Sequence, residues 1–259
     1  MVVQPIITAT GNMALRGAYA IGFIDLGGGP LFTPWYNSQE ANNYNMGSKW
    51  RSSYHMRLTF PSSSQVAFED ADGTPRSFTK NADGSYTPEP GYHAKLVLQL
   101  GVYTLTLTSG RKFVFDITGK LTAVLEPDAI YHDAVSYDAN GRLSSVQVVG
   151  PGVPPGRTLT LGYDASSRMI SVTDFSGRHL QLTYDANGRV STVTDPVGLV
   201  TTYGYDSSDR ITSVTRNNHT WSYIYDNNNF VASVTDPVLS RNSSDVLRGI
   251  ESFFVMRSA

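Results

Sequence analysis

The chain has no cysteine among its 259 residues. Disulfides, thiolate chemistry and cysteine-based zinc sites are therefore excluded. Histidine is sparse: the five, at 55, 93, 132, 179 and 219, never fall within 30 residues of one another, and no metal-ligand spacing appears. No run of 18 apolar residues occurs, so no helical membrane span is expected. The opening MVVQPIITATGN lacks a basic segment and does not read as a signal peptide. Charge is low and nearly balanced, with 22 acidic against 20 basic residues and a formal net charge of -2. No basic stripe stands out, which argues against a nucleic-acid partner. From 137 to 239 there is neither lysine nor glutamate, so arginine and aspartate carry the formal charge.

Familiar catalytic patterns are missing too. No Gly-x-Ser-x-Gly elbow occurs. Gly27-Gly28-Gly29-Pro30 is not followed by Gly-Lys-Ser/Thr and reads as a loop rather than a phosphate cradle. DADG (Asp70 to Gly73) and DANG (Asp138 to Gly141) are similar to calcium loops but lack Gly at the sixth position and Glu at the twelfth. Aspartates at a regular spacing read as turn caps rather than as a glycosidase pair. The sequence calls for no catalytic residue, cofactor or metal, and the chain reads as non-enzymatic.

What the sequence does have is tyrosine, 15 of them, together with 23 glycines and 13 prolines. Tyr, Thr, Val and Gly with few charges is a β-rich signature. YDANGRV at Tyr184 to Val190 almost recurs as YDANGRL at Tyr137 to Leu143, with weaker copies at Tyr163, Tyr205 and Tyr225. The spacings are 26, 21, 21 and 20 residues, a period that marks a repeat array. A fainter copy, FDITGKL, begins at Phe115.

Each copy reads as a hairpin. Before each Tyr-Asp, large apolar residues alternate with small or polar ones: Leu159, Leu161, Tyr163; Leu180, Leu182, Tyr184; Tyr203, Tyr205; Trp221, Tyr223, Tyr225. Period two predicts a strand with one apolar face. Asp138, Asp164, Asp185, Asp206 and Asp226 then open type I turns, with Gly141 and Gly188 in the fourth slot. Ser167, Asp209 and Asn229 hold that slot elsewhere; serine is poor at positive φ, which predicts a different turn for its hairpin. The return strand opens with Arg142, Arg168, Arg189 or Arg210 and an aliphatic, and a valine follows three residues later. Odd spacing puts both aliphatics on one face only if the strand bulges between them. The arginines are expected to lie over neighbouring tyrosines or to pair with the next aspartate.

One such hairpin buries about four large side chains, at roughly 1.5–3 kcal/mol each. That does not offset ordering about twenty residues at roughly 1–2 kcal/mol apiece. The units must pair edge to edge, with Tyr and Leu stacking as ladders. The fold class is all-β: consecutive antiparallel hairpins in one continuous curved sheet. Tyr203, Trp221 and Tyr223 form an aromatic face that either packs against another layer or offers stacking surfaces to sugar rings.

The pattern Tyr-Asp-x-x-Gly-Arg-Leu/Val-x-x-Val-Thr-Asp-Pro-x-Gly, met in full at Tyr184 to Gly198, resembles the YD repeat of the Rhs (rearrangement hot spot) family. YNSQEANNYNMGSKWRSSYHMRLTF (Tyr36 to Phe60) resembles the family's opening region, with Pro34-Trp35 where an arginine is usual. FEDADGTPRSF, NADGSY and LTLTSGRKFVFD resemble the hairpins that precede the first YD copies. The resemblance covers residues 11 to 239. It divides the chain into an opening region (1–60), degenerate hairpins (61–125), YD repeats (126–239) and a tail (240–259). In the tail the pattern stops, and SDVLRGIESFFVM has the look of a short amphipathic helix. The family's self-cleavage signature is not found, and the tail reads as a truncated or frameshifted gene end.

The resemblance implies a structural segment of a larger, secreted or surface-exposed bacterial Rhs chain. In such chains the repeats spiral into a hollow shell that encloses or delivers a C-terminal toxin. The remainder of that chain and its toxin domain would be the partners. The alternative is a cell-surface module binding a glycan or a protein.

Overall fold

The computed structural model describes residues 31–127, 130–154 and 156–235, plus the backbone of three short strands before residue 31. The tail with its candidate helix, the glycines at 27–29 and residues 236–239 lie outside the described residues. Among the described residues there is no helix, and hence none long and apolar enough to cross a membrane.

Fourteen strands, from Lys95–Gln99 to Val231–Thr235, form one antiparallel sheet in which every strand pairs with its neighbours in sequence. The sheet passes without a break from the degenerate hairpins into the YD repeats, through the pairing of Leu121–Leu125 with His132–Tyr137. The opening part stands apart from it in smaller sheets. Pro5–Ile7, Met13–Arg16, Pro34–Asn37 and Trp50–Ser52 make one, and Ile21–Gly22 pairs with Leu31–Phe32. Arg57–Ser62, Gln65–Glu69, Pro75–Lys80 and Tyr86–Pro88 form a four-stranded meander.

The expected bulge is present. Tyr163 pairs with Met169 while Gly162 pairs with Ser171, so Ile170 is the extra residue. The same register shift recurs before Phe115, Tyr137, Tyr184, Tyr205 and Tyr225. It turns an i, i+3 spacing into a shared face: Met169 and Val172, Val190 and Val193, and Ile211 and Val214 are all buried. A bulge also bends its strand and increases the local twist. Such a bulge sits beside each Tyr-Asp turn of the large sheet, and beside the Phe115-Asp116 turn as well.

The opening part lies on the apolar face of that sheet. Phe68 packs 5.8 Å from Phe113 and 6.0 Å from Phe115, centroid to centroid. Trp50 meets the Tyr203 ring edge-on at 4.9 Å. One hydrophobic core therefore runs from Phe32 through the meander to Val234.

Candidate functional site

The distinctive chemistry of this chain lies along the sheet edge that carries the Tyr-Asp turns. In the best-formed copy, Asp185 N–H donates to the Arg189 carbonyl at 2.9 Å and Gly188 N–H donates to the Asp185 carbonyl at 3.0 Å. Asp185 Oδ1 accepts from the backbone N–H of Asn187 (2.9 Å) and of Arg189 (3.0 Å). Asp185 Oδ2 takes Nε of Arg189 at 2.7 Å. Burial works to raise the Asp185 pKa, but these donors and the guanidinium outweigh it and hold the carboxyl below the usual range. Burial and the same donors act on Asp206, again with a net lowering. For Asp138 and Asp164 the return-strand backbone N–H is the largest influence, and both are lowered.

Gly188 has φ +77°, a left-handed conformation that glycine adopts at no steric cost. Ser167 sits in the same conformation, at φ +61°, and its N–H closes the same turn onto the Asp164 carbonyl at 2.9 Å. The expectation of a different turn there is therefore wrong. The Asp-Arg clamp, with Arg168 Nε on Asp164 Oδ2 at 2.8 Å, holds the loop in the shape that serine disfavours alone.

The arginines also tie each repeat to the next. Arg142 lies over the Tyr163 ring (4.3 Å), Arg168 over Tyr184 (4.8 Å), Arg189 over Tyr205 (4.9 Å) and Arg210 over Tyr225 (4.7 Å). Lys120 does the same for Tyr137 at 5.0 Å. The carboxylate each arginine grips belongs to its own turn, not to the next repeat's opening aspartate. The remaining guanidinium nitrogen reaches the fourth-slot residue one turn on: Ser167 from Arg142 (3.1 Å), Asp209 from Arg189 (3.4 Å) and Asn229 from Arg210 (2.7 Å).

Each tyrosine hydroxyl runs the other way. Those of Tyr163, Tyr184, Tyr205 and Tyr225 donate to the carbonyls of Leu143 (2.6 Å), Met169 (2.6 Å), Val190 (2.8 Å) and Ile211 (2.9 Å). Tyr137 donates to Leu121 at 2.9 Å. These carbonyls sit at the bulge, where the ladder is disrupted. Burial pushes all five phenols well above the usual tyrosine range, so they stay protonated and able to donate.

The segment from Tyr36 to Trp50 crosses this edge. Tyr36 Oη donates to the Asp209 carbonyl (3.1 Å) and accepts from Ile211 N–H (3.1 Å). Met169 N–H donates to the Asn45 carbonyl at 2.6 Å. Trp50 Nε1 donates to the Tyr205 hydroxyl at 2.9 Å. Gly47 passes so close that a Cβ there would lie 2.8 Å from the Gly188 carbonyl oxygen. Behind the segment, Arg51 is fully buried, with Nη1 2.7 Å from Glu40 and 3.7 Å from Glu69. Its guanidinium lies 4.7 Å from the centre of the Tyr44 ring. His55 accepts the Ser52 N–H at Nδ1 (3.0 Å), and burial next to Arg51 and Arg57 pulls its pKa down to about 3.

Sequence reasoning foresaw the turns, the bulge and the stacked arginines. It missed the hydroxyl–carbonyl bonds, although the preference for Tyr over Phe before each Asp was their signal. It also missed that Asp174 and Asp195 open the same turns at the opposite edge, signalled by Asp-x-x-Gly in both. Tyr203, Trp221 and Tyr223 are not an exposed platform. They are 6%, 6% and 3% exposed, because the face they share packs into the common core, with Trp50 against Tyr203. No group of three or more metal-capable side chains gathers among the described residues.

A family model for the RHS repeat matches residues 137–179 and 184–220. A second model, a domain of unknown function (DUF6531), matches residues 3–78. No curated protein matches the chain. Among solved structures, a Photorhabdus luminescens Tc holotoxin pore is similar at 16% identity and TM-score 0.36, over 90% of this chain and 12% of that one. Crystal structures of TcdB2-TccC3, with Cdc42 and without it, are similar at 15% identity and TM-score 0.36, with the same coverage. The chain spans about 12% of the length of these relatives. The RHS-repeat model matches where the Asp-Arg clamps and tyrosine bonds recur, and these repeats support an Rhs, or YD-repeat, protein.

Proposed function

We propose that this chain is a non-enzymatic wall segment of an Rhs shell. It works inside a larger secreted or surface-exposed polypeptide whose toxin or effector part the shell encloses or delivers. One observation carries the reading: the repeat's polar chemistry is spent on the repeat's own neighbours. Aspartate closes its turn, arginine grips that aspartate and covers the next tyrosine, and tyrosine bonds back to the previous bulge. Such a unit propagates a sheet and bends it, which is what a wall needs. The opening segment, laid across the edge of the YD hairpins, would pin the first turn of such a wall.

The test is protease protection in the full-length gene product. The polypeptide that follows the repeats should resist digestion while the wall is intact and become cleavable when mild denaturant opens it. Digestion of that polypeptide at the same rate with the wall intact would defeat the enclosure reading.

A further inference from the structure

Of the four repeat arginines, Arg168 has a neighbour unlike the others. Arg142, Arg189 and Arg210 each extend Nη1 to a fourth-slot side chain one turn on: Ser167, Asp209 and Asn229. For Arg168 that slot is Gly188, which has no side chain to offer. Nε and Nη2 of Arg168 are engaged by Asp164, both at 2.8 Å, and its guanidinium plane is stacked on Tyr184. Nη1 has no partner among the described residues.

This uncapped arginine lines a cleft of about 410 Å³ between the crossing segment and the turns at 164–168 and 185–189. Its other walls carry hydrogen-bonding side chains, among them Asn42, Asn187, Ser166 and Lys49. The carboxylate in the wall, Glu40, is occupied: its Oε2 lies 2.7 Å from the buried Arg51 and its Oε1 accepts from Asn42. The side chain of Arg168 is 37% exposed, against 15% for Arg189 and 22% for Arg210. The Nη1 group of a cation that a carboxylate and a ring already hold in place is therefore uncapped at the rim of a polar cleft, and the only carboxylate of the cleft wall is already engaged. A preset guanidinium edge of this kind suits a carboxylate or phosphate oxygen.

We propose that the cleft is an oxyanion site, in which Nη1 of Arg168 binds a carboxylate or phosphate group and the amide and hydroxyl side chains complete its shell. The site exists because Gly188 leaves open what asparagine closes two repeats later. It does not depend on what the larger chain encloses.

The experiment is an NMR titration of the arginine Nε–Hε and backbone amide signals at constant ionic strength, with sodium acetate, inorganic phosphate and chloride. We expect saturable shifts at Arg168, Ser166 and Asn187 with acetate, with phosphate or with both, and none at Arg189 or Arg210. The responding anion identifies the ligand's acidic group. Gly188→Asn should weaken the saturable response at least tenfold by capping Nη1 as Asn229 caps Arg210. Asparagine tolerates positive φ, and a Cβ at 188 would meet nothing within 4 Å. Arg168→Gln should abolish the response. Shifts that are linear and equal at all the repeat arginines, a response to chloride of the same size, or full retention in Gly188→Asn would overturn the proposal. The comparison among arginines in the unaltered chain stands even if a variant fails to fold.

Discussion

The YD hairpins and the opening part share one hydrophobic core but are held together by opposite kinds of polar chemistry. Along the Tyr-Asp edge of the hairpins the polar contacts come in sets: five tyrosine bonds, four Asp-Arg clamps and five cations on rings, repeated with small variations. Most are partly exposed, and none is unique. In the opening part the contacts that fix its placement occur once and lie largely buried. Arg51 serves Glu40 and sits near Glu69, and His55 is held neutral beside it. Tyr54 donates to Asp133 at 2.9 Å across 79 residues of chain. Redundant contacts make a sheet that can tolerate the loss of one. Unique buried contacts fix a single placement, and losing one leaves a charge without its partner.

The largest expected effect is therefore in the opening part. Arg51→Ala should cost about 3–5 kcal/mol, because it strands the buried Glu40 carboxylate against a void, while Glu69 keeps Arg57. Hydrogen exchange should show residues 31–80 losing protection while strands between 158 and 235 keep theirs. Equal loss in both regions would mean that the two behave as one cooperative unit and that the contrast is false.

The turn aspartates and Asp133, the sheet residue to which Tyr54 of the opening part donates, should respond to pH with opposite sign. The turn aspartates are lowered by their hydrogen bonds, so their stabilisation is present above the ordinary carboxylate pKa and is lost as pH falls through their folded values. Asp133 is raised to about 7, by burial first, with Tyr54 and Arg111 opposing. Its ionisation costs stability as pH climbs from the ordinary carboxylate value to about 7. Asp133→Asn keeps an acceptor for Tyr54 and should melt like the parent near pH 4. Above pH 7 it should melt higher, by at most about 4 kcal/mol equivalent. A higher melting point at pH 4 with none at pH 8 would reverse the assignment.

Within the repeats the effects should be smaller. Gly188→Val forces a β-branched residue to positive φ and should cost about 1–3 kcal/mol in denaturant unfolding. An unchanged midpoint would refute the turn geometry. Tyr184→Phe removes the hydroxyl that reaches the Met169 carbonyl and should cost about 1 kcal/mol. Tyr205→Phe should cost more, since that hydroxyl also receives Trp50 Nε1. Equal costs would show that the crossing segment does not lean on the ladder.

The same contrast explains what could be read from the sequence. Period-two alternation, Asp-x-x-Gly and an i, i+3 aliphatic pair are local patterns, and each maps onto one hairpin, turn or bulge. The repeat then multiplies the signal. The placement of Tyr36 on Asp209 and Ile211, or of Tyr54 on Asp133, joins residues far apart that follow no period. Nothing near either end announces such a contact. The aromatic face of Tyr203, Trp221 and Tyr223 was visible as a face, but its burial depends on Trp50 and the rest of the opening part, which the local pattern does not contain. The open Nη1 of Arg168 was invisible for a related reason. Gly188 fits the motif better than asparagine does, and only the reach of the previous arginine makes the missing side chain matter.

The central claim is that the YD motif joins each hairpin to the next rather than completing itself. A pair of double-mutant cycles tests it, Arg189→Met with Tyr205→Leu and Arg189→Met with Tyr184→Leu, each read by denaturant unfolding. The account predicts a coupling of about 0.5–2 kcal/mol between Arg189 and Tyr205 of the following repeat, and none between Arg189 and Tyr184 of its own. Coupling within the repeat, with none across the boundary, would contradict it.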